Sequence, residues 1–140
     1  MVKKIIPSEK PSAYCIMFDA HGKMLLLDRV FEPHGHCLPG GRIENYESPL
    51  EALRREIMEE TGIITTRKGF RFLRMDKSAH DRDIWIFVYD IPVDPSWIRL
   101  SIEHKAFRFA NPLNGGCCPE LSGKTMSYIR AYQDSSGVMV

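Results

Sequence analysis

Apolar and polar positions along this chain change their period near residue 50, and the change separates strands from a helix. Ala13-Tyr-Cys-Ile-Met-Phe18 reads as a strand, His21-Gly22 as a turn, and Met24-Leu-Leu-Leu27 as the returning strand of a hairpin. Phe31 to Cys37 is rich in Pro, Gly and His, which predicts a loop leading into Leu38-Pro39-Gly40-Gly41. Leu50, Leu53 and Ile57 then recur at helical spacing and form one apolar stripe. Ser48 is a good N-cap, Pro49 suits the first helical position, and Glu51 completes a Ser-x-x-Glu capping box. Gly62 is the expected C-terminal stop. Downstream, Ile63 to Met75 has the composition of one or two strands, and Ile84 to Tyr89 that of a buried strand. Trp97 to Ile102 and Phe107 to Phe109 are shorter strand candidates, and the sheet is expected to be mixed. Lys124 to Tyr132 carries Met126, Ile129 and Ala131 or Tyr132 at near-helical spacing and predicts a second helix, after which Ser135 to Val140 is expected to fray.

The polar face of the first helix concentrates the chemistry. Glu56, Glu59 and Glu60 crowd an arc beside the apolar stripe, and like charges one turn apart repel by roughly 0.2–0.5 kcal/mol unless a positive charge lies between them. A divalent cation meets that need. Arg55 is four residues from both Glu51 and Glu59, where a guanidinium can hold a carboxylate in a fixed orientation. On an isolated helix rich in Arg and Glu, the plainer reading is a solvated face with ordinary ion pairs.

Composition narrows the class. With 140 residues the chain fits one domain large enough to bury a conventional core. Its 19 basic and 18 acidic residues leave a formal charge of +1, so no overall basic field draws it to nucleic acid or membrane. Cys15, Cys37, Cys117 and Cys118 show no CxxC or disulfide-framework spacing, and the N-terminus does not resemble a signal peptide, so a reduced, cytoplasmic setting is expected. No apolar run approaches the roughly 18–20 residues needed to span a bilayer.

Gly41, Glu47, Arg55, Glu56, Glu59, Glu60 and Gly62, with Ile57 and Ile63 in the aliphatic slots, match the signature of the Nudix hydrolases. Seven fixed positions recur by chance on the order of 10⁻⁸ per starting point, so the segment outweighs the solvated-face reading. The chain thus resembles the MutT-like Nudix hydrolases, with the box at residues 41–63 of a single domain spanning 1–140. The resemblance implies an α/β (α+β) fold, an α/β/α sandwich with a central mixed sheet and a loop-helix-loop catalytic box. It implies Mg²⁺ or Mn²⁺ held by Glu56, Glu59 and Glu60 with the carbonyl of Gly40, and Glu47 orienting the loop and Arg55. The structural glycines are Gly41 and Gly62. The implied reaction is hydrolysis of a phosphoanhydride in a nucleoside diphosphate linked to another group, with Glu59 or Glu60 as base. Glu103, in Ser101-Ile-Glu-His104, resembles the extra loop glutamate that many family members place opposite the box. Tyr46, where glycine is common, and Cys37, where an aromatic is common, depart from the pattern without touching a fixed position.

Downstream signatures for ADP-ribose, dinucleoside polyphosphate and NADH substrates are absent, which favours nucleoside triphosphates or nucleotide sugars. A nucleotide-binding regulatory module without turnover is the alternative, opposed by the complete carboxylate set. A small-molecule nucleotide is the expected partner. Stable nucleic-acid binding is not expected for want of a basic patch, and a homodimer is compatible with the reading. Arg29, His34 and His36, just before the box, are candidates for substrate contact, and two histidines in a Pro/Gly loop without Cys partners are a poor metal site. Adjacent Cys117-Cys118 is read as two small, partly buried residues rather than a redox pair. Trp85 and Trp97, with Phe31 and Tyr14, are candidates for stacking on a base, against the commoner role of strand aromatics as core.

Overall fold

A computed structural model describes residues 10–30, 36–77 and 81–111, with the side chains of Arg29 and His36 excepted. The described strands are β1 (Ser12–Met17), β2 (Met24–Arg29), β3 (His36–Cys37), β4 (Gly40–Arg42), β5 (Phe70–Lys77), β6 (Asp83–Tyr89) and β7 (His104–Ala110), with one α-helix, α1 (Pro49–Thr61). Four strands form one sheet in the order β4-β1-β6-β5, with β1 and β6 parallel and the outer pairs antiparallel. Three more form an antiparallel sheet in the order β3-β2-β7. The expected mixed sheet is therefore present. The expected second helix at Lys124–Tyr132 lies outside the described residues.

The hairpin is not formed as expected. Asp19 Oδ1 accepts from the N–H groups of His21 and Lys23, both at 2.9 Å, and closes the turn. Only Phe18 and Met24 then bridge, after which β1 and β2 part into different sheets. The reason lies in the apolar runs themselves. Met24 to Leu27 are wholly buried, as are Ala13 and Cys15 to Met17, so each strand has both faces covered. A two-stranded hairpin leaves one face wet.

Two apolar clusters result, one on each side of β1 and β6. The larger gathers Ala13, Cys15, Met17, Leu25, Leu27, Phe87 and Tyr89 around Ala52, Leu53 and Ile57 of α1. The smaller holds Ile16, Met24, Leu26, Leu38, Ile86 and Val88.

Trp97 to Ile102 is not a strand. Asp94 Oδ1 accepts from Ser96 N–H at 2.9 Å and, with Pro95 next, starts a 3₁₀ turn over Pro95–Trp97. The N–H groups of Arg99 and Ser101 then turn to the carbonyls of Thr61 (2.6 Å) and Glu60 (3.3 Å) at the C-terminal end of α1. Those donors are used on a helix end rather than a sheet. Ile63 to Thr66 likewise forms no strand, and a 3₁₀ turn at Arg67–Gly69 precedes β5. Residues 31–35 of the expected loop lie outside the described set, whereas His36 and Cys37 pair with Asp28 and Leu27.

Candidate active site

α1 is set in place from both ends, as its sequence predicts. Ser48 accepts from Glu51 N–H at 3.1 Å while Glu51 accepts from Ser48 N–H at 2.9 Å. Gly62 ends the helix at φ 77°, and its N–H meets Met58 O. Because Glu51 serves the cap, it does not engage Arg55 as its spacing suggested. Leu53 and Ile57 seat the helix on the sheet, and this burial fixes the phase at which its carboxylates emerge.

They emerge over the glycines of β4. Gly40 adopts φ 143° beside the backbone of Ala13 and Tyr14, where any side chain would collide. Its N–H donates to Glu60 Oε1 at 3.0 Å. A Cβ on Gly41 would stand 2.6 Å from the carboxyl carbon of Glu56, so glycine there lets the carboxylate lie against bare backbone. Gly40, Gly41, Glu56 and Glu60 therefore form one contact group.

Arg55 organises the rest. Its Nε and Nη2 grip Glu47 at 2.6 and 2.9 Å, Nη2 also donates to Arg42 O at 3.1 Å, and Nη1 lies 3.3 Å from Glu56 and 3.4 Å from Glu59. Glu47 accepts in addition from Glu44 N–H at 3.0 Å. The guanidinium thus joins the 42–47 loop to the helix through a planar fork that lysine cannot reproduce. Hydrogen bonding to Arg55 holds Glu47 below the usual carboxylate range, and Glu47 in turn raises Arg55.

Glu56 and Glu60 behave in the opposite sense. Glu60 is 6% exposed. Burial drives its pKa up to about 9; the Gly40 N–H opposes the rise, whereas the charge of Glu56, their mutual hydrogen bond and the charge of Glu103 add to it. Burial also raises Glu56, against the attraction of Arg55. Burial thus works against two full negative charges at this pair. Glu59 stands apart, with its side chain 54% exposed.

The donor set fits a hard divalent cation. Two adjacent carboxylates whose charges burial disfavours are a seat that a cation would stabilise. Among the described residues, no three Asp, Glu, His or Cys side chains converge as a closed cage. A cation here would therefore rest on Glu56 and Glu60 and take its other ligands from waters and substrate phosphates, as Mg²⁺ commonly does.

Glu103 lies in the turn before β7. Its N–H donates to Ser101 Oγ at 3.2 Å, its carbonyl accepts from Val30 N–H at 3.0 Å, and its charge reaches Glu60. Because Arg99 and Ser101 dock on the end of α1, this turn is tied to the helix that carries the box. Sequence reading missed both that docking and the Arg42 carbonyl under Arg55. Each depends on contacts far apart in the chain, and no local pattern marks them.

Of the substrate candidates, Arg29 ends β2 and His36 begins β3, while His34, like Phe31, Cys117 and Cys118, lies outside the described residues. Among the described residues, the aromatic candidates Tyr14, Trp85 and Trp97 do not form one clamp. Tyr14 packs with the smaller cluster and Trp85 with the larger, on opposite faces of the sheet, and Trp97 is half exposed on its 3₁₀ turn. Cys15 and Cys37 are buried thiols. No helix among the described residues is long and apolar enough to cross a membrane.

Comparison with known proteins bears on the same segment. A family model described as NUDIX domain matches residues 8–112. An uncharacterised 17.7 kDa protein from the e-segB intergenic region of Enterobacteria phage T4 is 33% identical over 102 residues, covering 66% of this chain and 62% of that protein. The 8-oxo-dGTP diphosphatase of Proteus vulgaris is 33% identical over 69 residues, 47% of this chain and 58% of that enzyme. The chain thus spans about three fifths of the length of these curated relatives. A MutT protein from Methanosarcina mazei Go1 superposes with a TM-score of 0.69 at 21% identity, covering 91% of this chain and 95% of the other, a likeness of fold.

Proposed function

From the premise that this chain belongs to the Nudix family, we propose that it is a metal-dependent hydrolase of a phosphoanhydride in a nucleoside diphosphate linked to another group. Nucleoside triphosphates and nucleotide sugars are the favoured substrates. The observation that carries this reading is the placement of Glu56 and Glu60 against Gly40–Gly41, braced by Arg55.

Glu56 and Glu60, with the carbonyl of Gly40 and with Glu59 directly or through water, would hold Mg²⁺ or Mn²⁺. Such an ion, when bound, neutralises the diphosphate, polarises a phosphoryl oxygen and lowers the pKa of a water. The chain's own groups do the positioning and the proton transfer. Arg55 orients Glu56 and Glu59 while Glu47 fixes the guanidinium. Arg42, exposed beside Gly41, supplies a cation for a phosphate. Glu59, exposed on the helix, or Glu103, on the docked turn, accepts the proton of the attacking water. The name of the Proteus relative, a diphosphatase of a nucleoside triphosphate, supports the substrate class.

Hydrolysis of a panel of nucleoside triphosphates and nucleotide sugars in water enriched in heavy oxygen tests the proposal. Release of a nucleoside monophosphate with divalent metal is expected, and the labelled product identifies the attacked phosphorus. Tight nucleotide binding with no turnover of any panel member would favour the regulatory alternative.

A further inference from the structure

Ser101 stands between two glutamates that lie 43 positions apart in the chain, Glu60 and Glu103. Its N–H donates to the carbonyl of Glu60 at 3.3 Å, and its Oγ accepts from the N–H of Glu103 at 3.2 Å. Its carbonyl accepts from His104 N–H at 3.3 Å, the bond that closes the turn and delivers the chain into β7. One residue thus links the last turn of α1 to the turn before β7 through every polar group it carries.

The turn is held from its far side as well. Val30, directly after β2, donates its N–H to the Glu103 carbonyl at 3.0 Å, and Arg99 adds a second bond to α1, from its N–H to Thr61 O at 2.6 Å. Ile102, between Ser101 and Glu103, is 89% exposed, so its side chain contributes little packing and the hydrogen bonds carry the position of the turn. A serine hydroxyl on its one-carbon stem reaches the N–H two residues on, the local bond that fixes such turns. The Glu103 side chain is exposed, and its charge bears on Glu60. Glu59 is placed differently, since its carboxylate accepts from Arg55 Nη1 at 3.4 Å.

We propose that Ser101 is a positioning residue for Glu103: it ties the Glu103 turn to the backbone of Glu60, so that the Glu103 carboxylate takes the proton of the attacking water beside the cation's seat. As the water oxygen bonds to phosphorus, the phosphoanhydride P–O bond breaks with its electron pair to the leaving phosphate oxygen, and one water proton passes to Glu103. The inference rests on the hydrolase reading and selects Glu103 over Glu59 as acceptor. A proton acceptor must lie within hydrogen-bond reach of the proton it takes, and a misplacement of about 1 Å can cost on the order of a hundredfold in rate. A long side chain on an exposed turn meets that demand only where its backbone is fixed.

Steady-state kinetics of Ser101→Ala, Ser101→Thr, Glu103→Gln and the Ser101→Ala/Glu103→Gln double variant, on a substrate from the panel, test the proposal. Amide hydrogen exchange at Val30, referred to that of Ile57 within α1, follows the turn without substrate. Ser101→Ala should speed Val30 exchange about tenfold, the net worth of one hydrogen bond, and lower kcat about tenfold with KM within about twofold. Ser101→Thr keeps the oxygen and should restore both. Added to Glu103→Gln, Ser101→Ala should cost little more, because changes that act through one group are not additive. Val30 exchange that is the same in Ser101→Ala as in the native protein, a fully active Glu103→Gln, or a Ser101→Ala loss that persists in full on the Glu103→Gln background would overturn the proposal. A panel with no turnover at all would instead overturn the hydrolase reading, and Val30 exchange would then decide by itself whether Ser101 fixes the turn.

Discussion

Glu60→Gln separates what the buried carboxylate does for the fold from what it does for a cation. Glutamine keeps the acceptor for Gly40 N–H and offers Glu56 a donor, so it mimics protonated Glu60 without its titration. Burial pushes Glu60 up to about 9 from an ordinary value of 4.5. The folded state therefore binds more protons than the unfolded chain throughout that window. Stability of the metal-free protein is present in full below the lower value and is lost as pH rises towards the upper one. Each unit corresponds to about 1.36 kcal/mol, so near pH 7.5, about three units above the ordinary value, the loss is on the order of 4 kcal/mol. For a domain of this size that corresponds to roughly 10 °C in melting temperature. Thermal or urea unfolding in chelator, at intervals from about pH 5 to pH 8, should show Glu60→Gln gaining on the native protein as pH rises. Other carboxylates cancel in the difference. Added Mg²⁺ should restore the native protein far more than the variant, because a ligand of the folded state stabilises only where it binds. A stability difference that stays flat across this pH range would refute the upward shift of Glu60.

Other perturbations isolate other parts. Gly41→Ala places a Cβ where the Glu56 carboxylate lies, and kcat/KM should fall about a hundredfold through misplacement of that group while far-UV circular dichroism is unchanged. Arg55→Lys forfeits the two-pronged grip on Glu47 and should lower kcat/KM about 10- to 100-fold, as loss of an orienting partner at a metal site does; a fully active variant would remove Arg55 from the account. Ser48→Ala deletes one half of the capping box and should cost about 1 kcal/mol in urea denaturation with kcat preserved. Leu53→Ala, at a fully buried position, should cost about 2–5 kcal/mol in the same assay.

Local chemistry made α1 and its carboxylates legible. Ser48, Pro49, Glu51 and Gly62 state the ends of the helix, and Leu53 and Ile57 state which side is buried, so the expected span matches Pro49–Thr61. The box spacing then located Gly41, Glu47 and Arg55, which the fold brings together. What failed depended on partners distant in the chain. β1 and β2 have the look of a hairpin, yet burial on both faces sends them into separate sheets. Trp97 to Ile102 has strand composition, but Asp94 and Pro95 start a 3₁₀ turn and the end of α1 claims the following N–H groups. The bulge at Phe72–Arg74 is similarly silent in the sequence, because it becomes visible only against the register of β6.

Proton release on metal binding tests the central claim most directly. Titration calorimetry of Mn²⁺ into the metal-free protein near pH 7.5, repeated in buffers of different ionisation enthalpy, counts the protons displaced per ion. Burial raises both Glu56 and Glu60 in the cation's proposed seat, so metal binding should release protons from it, and Glu60→Gln should bind weakly with little release. Binding that displaces no proton, or that is equally tight in Glu60→Gln, would contradict the account.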